Sequence, residues 1–489
     1  MSKKKSAGET QTPVLPPLVF ASASVHSVGG MSVFQTQGFI TSQNVASFFN
    51  NPYLTQIAVQ KLIAAGFEVL AVNEIAISIS APPETYEKAF NTKIVAEERP
   101  VIKEMGELTT ATFVECPDTK MNGFIDTRNT NFADCLEGVA ISEPIYFMSN
   151  PTAFAPTKPY WHLDVPSGVS LGLNADKAHR AGVTGRGVNV VMVDSGWYKH
   201  PFFTERGYKA ITPTILGPST ANPNNDEVGH GTGESANIFA AAPDVKFRMV
   251  KVSFVNALGA FNVAVGMNPH IISCSWGSDK RLPNSLSAND LLLGTAISNA
   301  VSRGIVVVFS AGNGSFGFPG QHPDVISAGG AFMNPDGSTR ASDYASGFIS
   351  PNYVNRRCPD LCGLVGMKPK AAYIMLPVEP NDQIDIALSS GGAAHPFGDG
   401  TSDKDGWAAF SGTSAAAPQL AGVCALIKQI KPNLTPFQIR EILKKTARDV
   451  TTGNSSIDAT GAAATVGNDL ATGAGLVDAF AAVQLAMTM

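Results

Sequence analysis

What this 489-residue sequence lacks narrows its reading first. No stretch reaches 18 consecutive apolar residues, so the sequence offers no membrane-spanning helix. Charged residues make up only 15%, and 35 Lys and Arg against 40 Asp and Glu leave a net charge of −5. With an isoelectric point near 5.9, the composition supplies no basic surface for nucleic acid. The short basic run Lys3-Lys4-Lys5 reads as a solvated terminus. Six cysteines are too few for a disulfide scaffold. Cys358 and Cys362, in Cys-Pro-Asp-Leu-Cys, either close a small loop or are two surface thiols; their spacing, with no second pair nearby, does not suit a zinc knuckle. Cys274 and Cys424 sit in apolar runs and read as small buried hydrophobes. The first residues lack the unbroken apolar segment of a signal peptide, because Gly8 to Gln11 and Pro16-Pro17 interrupt it. The compartment stays open: cytoplasm, or export by a route that the sequence does not display.

What is present describes a well-packed globular chain. Hydrophobic residues reach 44%, and 46 Gly with 32 Pro supply the turns that join many buried elements. At roughly 100–200 residues per domain, the length asks for two or three units. Three segments are expected: a flexible N-terminus over 1–16, a small unit with its linker over 17–150, and a large unit over 151–489. Within the small unit, periodicity predicts a strand at 18–23, a helix at 53–65, strands at 67–72 and 75–80, a helix at 83–91 and a strand at 93–97. That order matches a ferredoxin-like split βαβ unit of the α+β class. Periodicity weakens over 100–160, and Pro144, Pro151, Pro156 and Pro159 mark a linker. The large unit alternates apolar runs at 188–193, 247–252, 270–275 and 305–309 with helical stretches at 232–241, 256–266 and 289–303. Continuously apolar strands alternating with helices predict an α/β unit, a mostly parallel sheet with helices on both faces. Sites in such sheets form beyond the carboxyl ends of the strands.

Four places stand out at such ends. Asp194 follows Val188-Asn189-Val190-Val191-Met192-Val193, where a buried carboxylate can accept an imidazole N–H; taken alone, it equally suits a turn cap. His230 is held between glycines in Gly229-His230-Gly231-Thr232-Gly233, at the start of an apolar helix. Ser414, in Gly412-Thr413-Ser414-Ala415-Ala416-Ala417-Pro418, opens another helix, where free amides and the dipole favour negative charge; an ordinary N-cap serine fits the same pattern. Asn313, in Ala311-Gly312-Asn313-Gly314, follows the strand at 305–309 and can either donate to an oxyanion or make an Asn-Gly turn.

Together, Val193-Asp194-Ser195-Gly196, Gly229-His230-Gly231-Thr232, Ala311-Gly312-Asn313 and Gly412 to Pro418 resemble the signature blocks of the subtilisin-like serine peptidases, the subtilases, in the family's order Asp, His, Ser. The resemblance extends over about 160–487, from Leu173-Asn174-Ala175-Asp176-Lys177-Ala178 to Gly473-Ala474-Gly475-Leu476-Val477-Asp478-Ala479. It implies a serine endopeptidase acting on proteins or peptides, with Ser414 as nucleophile, His230 as general base and Asp194 orienting it. Asn313 with the Ser414 N–H would form the oxyanion site, and Ser275-Trp276-Gly277 the edge that pairs with extended substrate. It also implies that the small unit is a prodomain, chaperone and temporary inhibitor, whose tail after Ala140 to Phe147 lies in the cleft, with self-cleavage between about 147 and 160.

No cofactor is expected for the chemistry. Structural calcium is an expectation of the resemblance, with Asp399, Asp403 and Asp405 in a Gly/Asp-rich loop as candidate ligands. Three other readings share parts of the pattern. A sedolisin-like acid peptidase would need Glu for His230 and an acidic residue for Asn313. A peptide ligase or macrocyclase would pass the acyl-enzyme to an amine. An inactive scaffold would bind peptides by strand addition alone.

Overall fold

The computed structural model describes residues 13–102, 108–147, 160–253, 255–369, 372–389, 398–403 and 405–489. The expected boundary at 150/151 therefore lies outside the described residues. Among those described, no helix is long and apolar enough to cross a membrane.

The first unit runs through β1 (Val19–Val25), α1 (Pro52–Ala64), β2 (Glu68–Val72), β3 (Ile77–Ala81), α2 (Pro83–Phe90), β4 (Val95–Ile102), β5 (Leu108–Glu115), β6 (Phe124–Ile125) and β7 (Leu136–Ile141). Helix α1 starts where it does because Asn51 accepts the Tyr53 and Leu54 amides and Pro52 needs no donor of its own. The sheet order is β2-β3-β1-β7-β6, antiparallel throughout. The period of two sorts its faces. Val19, Ala21, Ala23, Ile77, Ile79 and Val139 pack with Leu62, Tyr86 and Phe90 of the two helices, while Ser22, Ser24, Ser78 and Ser80 point the other way and are also buried.

One expected element is corrected. The strand placed at 93–97 does not join this sheet; β4 instead forms a hairpin with β5, and the place beside β1 goes to β7, with β6 at the edge. The reason lies in composition: Glu97-Glu98-Arg99 leaves β4 no apolar face, whereas β7 is buried along nearly its whole length.

The second unit holds an eight-stranded sheet. Its strands are β9 (Asn189–Asp194), β10 (Ile215–Leu216), β11 (Lys246–Lys251), β12 (Ile271–Cys274), β14 (Val306–Ser310), β16 (Ile326–Met333), β17 (Thr339–Ala341) and β18 (Leu361–Leu364), with β13 (Trp276–Asp279) and β15 (Gly317–Phe318) in a separate small sheet. The order is β10-β11-β9-β12-β14-β16-β17, with β18 also on β16. Every pair is parallel except β16 with β17. The four long apolar runs of the sequence become β9, β11, β12 and β14 to within a residue or so, and α3 (His230–Ala241), α4 (Ala257–Gly266) and α5 (Ala288–Ser302) fall on the expected helices. Helix α6 (Thr413–Ile430) crosses the centre, its first 16 residues buried. It packs on α3, β12, β14, β16 and β18.

The serine face of the first unit rests on α4 and α5 of the second. Asn256 Nδ2 donates to Ser78 Oγ at 3.2 Å, Asn299 Nδ2 to Glu74 Oε2 at 3.3 Å, and α5 packs against β7. Cys358 and Cys362 form no bridge and are not surface thiols: both are fully buried and free. Pairing of β18 with β16 holds Cys362 in the sheet, where its Sγ contacts the Thr472 carbonyl at 3.3 Å.

Candidate active site

Three strand ends and two helix starts converge. Asp194 ends β9, fully buried, and its Oδ1 lies 2.7 Å from His230 Nδ1 and 2.8 Å from the Ser195 amide. A carboxylate only accepts, so Nδ1 carries the proton and Nε2 is left as the basic nitrogen. His230 opens α3, and the flanking glycines are required there. Gly229 sits at φ 88°, and a Cβ on it would come within 2.0 Å of Asp382 Oδ2. A Cβ on Gly231 would meet the Gly196 carbonyl at 2.4 Å.

A second carboxylate fixes this turn, and the sequence reading missed it. Asp226 Oδ1 accepts from Ser195 Oγ (2.7 Å) and Gly229 N (3.1 Å), and its Oδ2 from Thr232 N and Oγ1, both at 2.8 Å. Ser195 Oγ in turn accepts the Gly231 amide at 2.8 Å. Ser195, which follows Asp194, and Gly229 and Gly231, on either side of His230, are thereby tied to one buried group. Its only trace in the sequence is an acid four residues before His230.

Ser414 lies in the first turn of α6, fully buried, where its Oγ donates to the Ser275 carbonyl at 3.2 Å and its own carbonyl accepts from Ser275 Oγ at 2.9 Å. Asn313, after β14, accepts the Thr413 amide and hydroxyl at its Oδ1, both at 3.0 Å. Those bonds fix the amide plane next to Ser414 and orient Nδ2 away from Thr413.

The expected substrate edge, Ser275-Trp276-Gly277, is occupied by the chain itself. Strand β8 (Tyr146–Phe147) pairs antiparallel with β13, Phe147 opposite Trp276 and Tyr146 opposite Gly277. Trp276 serves that edge through its backbone only. Its side chain is buried, donating from Nε1 to the Val193 carbonyl at 2.8 Å and meeting Phe309 edge-on at 5.1 Å. The expected substrate edge is thus anchored to the strand that ends in Asp194.

Glu234, one turn beyond His230 on α3, is also fully buried, with Oε1 4.0 Å from His230 Nε2. Its Oε2 accepts from Asn237 Nδ2 at 2.9 Å, and Asn237 Oδ1 accepts from Gln419 of α6 at 3.1 Å, which links the His helix to the Ser helix. Burial pushes the Glu234 carboxyl up to about 8; Asp194 adds to the rise, and His230 and Asn237 oppose it. The fold therefore favours the protonated acid. Its contribution is full below the ordinary carboxylate range near pH 4 and is lost as pH rises to about 8. In a Ser414→Ala chain, a further Glu234→Gln change should raise the thermal midpoint more at about pH 8 than at about pH 5. An equal change at both would show a carboxyl of ordinary acidity.

Among the described residues, no group of three or more His, Cys, Asp or Glu could hold a metal ion. At the loop expected to hold calcium, Asp399 spends its oxygens on Thr401 and on the Ala409 amide, and Asp405 accepts the Ser402 and Trp407 amides. These carboxylates act as turn caps.

Comparison with known proteins agrees with the motifs. Residues 185–468 match the subtilase family. The chain belongs to that family of serine endopeptidases. It is 29% identical over 316 residues to M-protease of Shouchella clausii, covering 61% of this chain and 68% of that one. It is 28% identical over 309 residues to subtilisin Savinase of Lederbergia lenta, covering 59% and 94%. In fold it resembles fervidolysin of Fervidobacterium pennivorans, a keratinolytic enzyme related to subtilisin, with a TM-score of 0.57 at 17% identity. That similarity covers 98% of this chain but only 62% of fervidolysin's length. The expected family and α/β class both hold.

Proposed function

We propose that this chain is a serine endopeptidase made as a zymogen that processes itself. Residues 17–150 are its prodomain and 151–489 its catalytic domain. The supporting observation is the pairing of β8 with β13. A strand of the chain's own first unit takes the place of extended substrate, directly beside Ser275 and the Ser414 hydroxyl it accepts.

In this mechanism His230 Nε2 removes the Ser414 proton as Oγ attacks the scissile carbonyl. The Asp194 carboxylate holds the Nδ1–H tautomer and stabilises the imidazolium. Charge on the tetrahedral oxygen is met by Asn313 Nδ2 and the Ser414 N–H, aided by the start of α6. The imidazolium then protonates the leaving amine, and water repeats the sequence on the acyl-enzyme. The first unit shields α4 and α5 and lowers the barrier to a slow-folding parallel sheet. No step needs a cofactor, and its substrates are proteins or peptides that can extend along β13.

Mapping N-termini by mass spectrometry tests the reading. Wild type should yield a fragment beginning between about 147 and 160 and should label at Ser414 with a fluorophosphonate; Ser414→Ala should stay uncut and unlabelled. Identical processing in both would remove self-cleavage.

A further inference from the structure

The occupied edge has a charged end. Strand β8 pairs Phe147 with Trp276 and Tyr146 with Gly277; three residues further along the same antiparallel register, Glu143 falls opposite Lys280. The side chains meet there: Lys280 Nζ lies 2.8 Å from Glu143 Oε2. Both residues are buried, at 8% and 7% exposure. On its other side Lys280 Nζ lies 2.8 Å from Asp290 Oδ2.

Asp290 and the Lys280 backbone are held from within the second unit. Asp290 is in a capping box at the start of α5: its Oδ2 accepts the Ser287 amide at 2.9 Å, and its own amide donates to Ser287 Oγ at 3.1 Å. The Lys280 carbonyl accepts from Asn352 Nδ2 at 2.9 Å, and its amide donates to the Phe316 carbonyl at 3.0 Å. None of these restraints comes from the first unit. Only Glu143 does.

We propose that Lys280 is an acid-recognising subsite of the substrate cleft, selecting a carboxylate four residues upstream of the substrate residue that lies opposite Trp276. Glu143 occupies it in the intact chain. When the first unit departs, Lys280 keeps Asp290 as its fixed partner and offers its remaining donors to whatever side chain arrives. An ammonium has three donors and no acceptor. A carboxylate satisfies it with a charge-assisted bond, a neutral amide does so more weakly, an aliphatic side chain leaves a buried donor unmet, and a second cation is repelled. The subsite rests on the reading of β13 as the substrate edge.

The test uses the wild-type protein after it has cut itself and been separated from its first unit, and four internally quenched peptides carrying the chain's own residues 140–151. They hold Glu, Gln, Leu or Lys at the place of Glu143. Wild type should cleave the Glu peptide with kcat/KM about tenfold above the Gln peptide, with Leu lower and Lys lowest. In Lys280→Met the Glu and Gln peptides should converge. Four peptides cut at equal rates by wild type, or a preference for Glu that survives in Lys280→Met, overturn the subsite and leave the peptidase site standing. Cleavage of none of them by wild type overturns the site reading, and the subsite with it. The ranking within wild type stands as a test even if Lys280→Met fails to fold.

Discussion

Ser414→Ala is expected to lower peptide hydrolysis on the order of a million-fold while leaving the fold intact, because nucleophile and base act as one unit. The local structure tolerates the change. Ser414 is followed by Ala415, Ala416 and Ala417 inside a buried helix, and its hydroxyl donates to the Ser275 carbonyl at 3.2 Å. Losing that bond costs about 1 kcal/mol, so thermal unfolding should move little. Two causes of inactivity must be separated, since an uncut variant also keeps β8 on the substrate edge. Nicking the variant between 147 and 160 with an added protease frees the edge without restoring a nucleophile. Activity should remain absent after that nick; recovery to within tenfold of wild type would remove Ser414 from the chemistry.

Much of the site is visible in the sequence because its residues stand at strand ends beside glycines. Asp194 follows five residues of Val, Met and Asn that can only be a buried strand, and His230 lies between glycines whose Cβ atoms would collide with Asp382 and Gly196. Those constraints are local, and local pattern carries them. Asp226, Glu234 and Lys280 are different, since each acquires its role from partners brought near by the fold. Nothing beside Lys280 in the sequence names its partner; the register of β8 on β13 puts Glu143 opposite it. The strand expected at 93–97 forms as β4 but stands outside the first sheet for a related reason. A β-prone stretch was present, but the place beside β1 in the first sheet went to β7, whose apolar residues lie more than 35 positions later in sequence. Trp276 pairs through its backbone with Phe147, while its ring belongs to the core.

Asp194→Asn should cost about 10,000-fold in kcat near neutral pH. Both His230 Nδ1 and the Ser195 amide converge on Oδ1 of Asp194, while Oδ2 is buried with no hydrogen-bond partner among the described residues. An asparagine that keeps its oxygen toward those two donors preserves the tautomer but removes the charge that stabilises the imidazolium, and it buries an amide donor with nothing to receive it. The reversed amide faces both donors with a third and drives the proton to Nε2, where it stops His230 from taking the Ser414 proton. Either arrangement also alters Glu234. Asp194 is one cause of the raised Glu234 carboxyl, so its removal lets Glu234 ionise at lower pH, 4.0 Å from Nε2. An ionised Glu234 then attracts the imidazolium and disfavours release of its Nε2–H to the leaving amine. The double variant Asp194→Asn/Glu234→Gln should therefore recover part of the lost activity on the alkaline side of neutrality. Steady-state kinetics of both variants across pH check this: a single variant within tenfold of wild type sinks the role of Asp194, and a double variant no better than the single one at any pH sinks the contribution of Glu234.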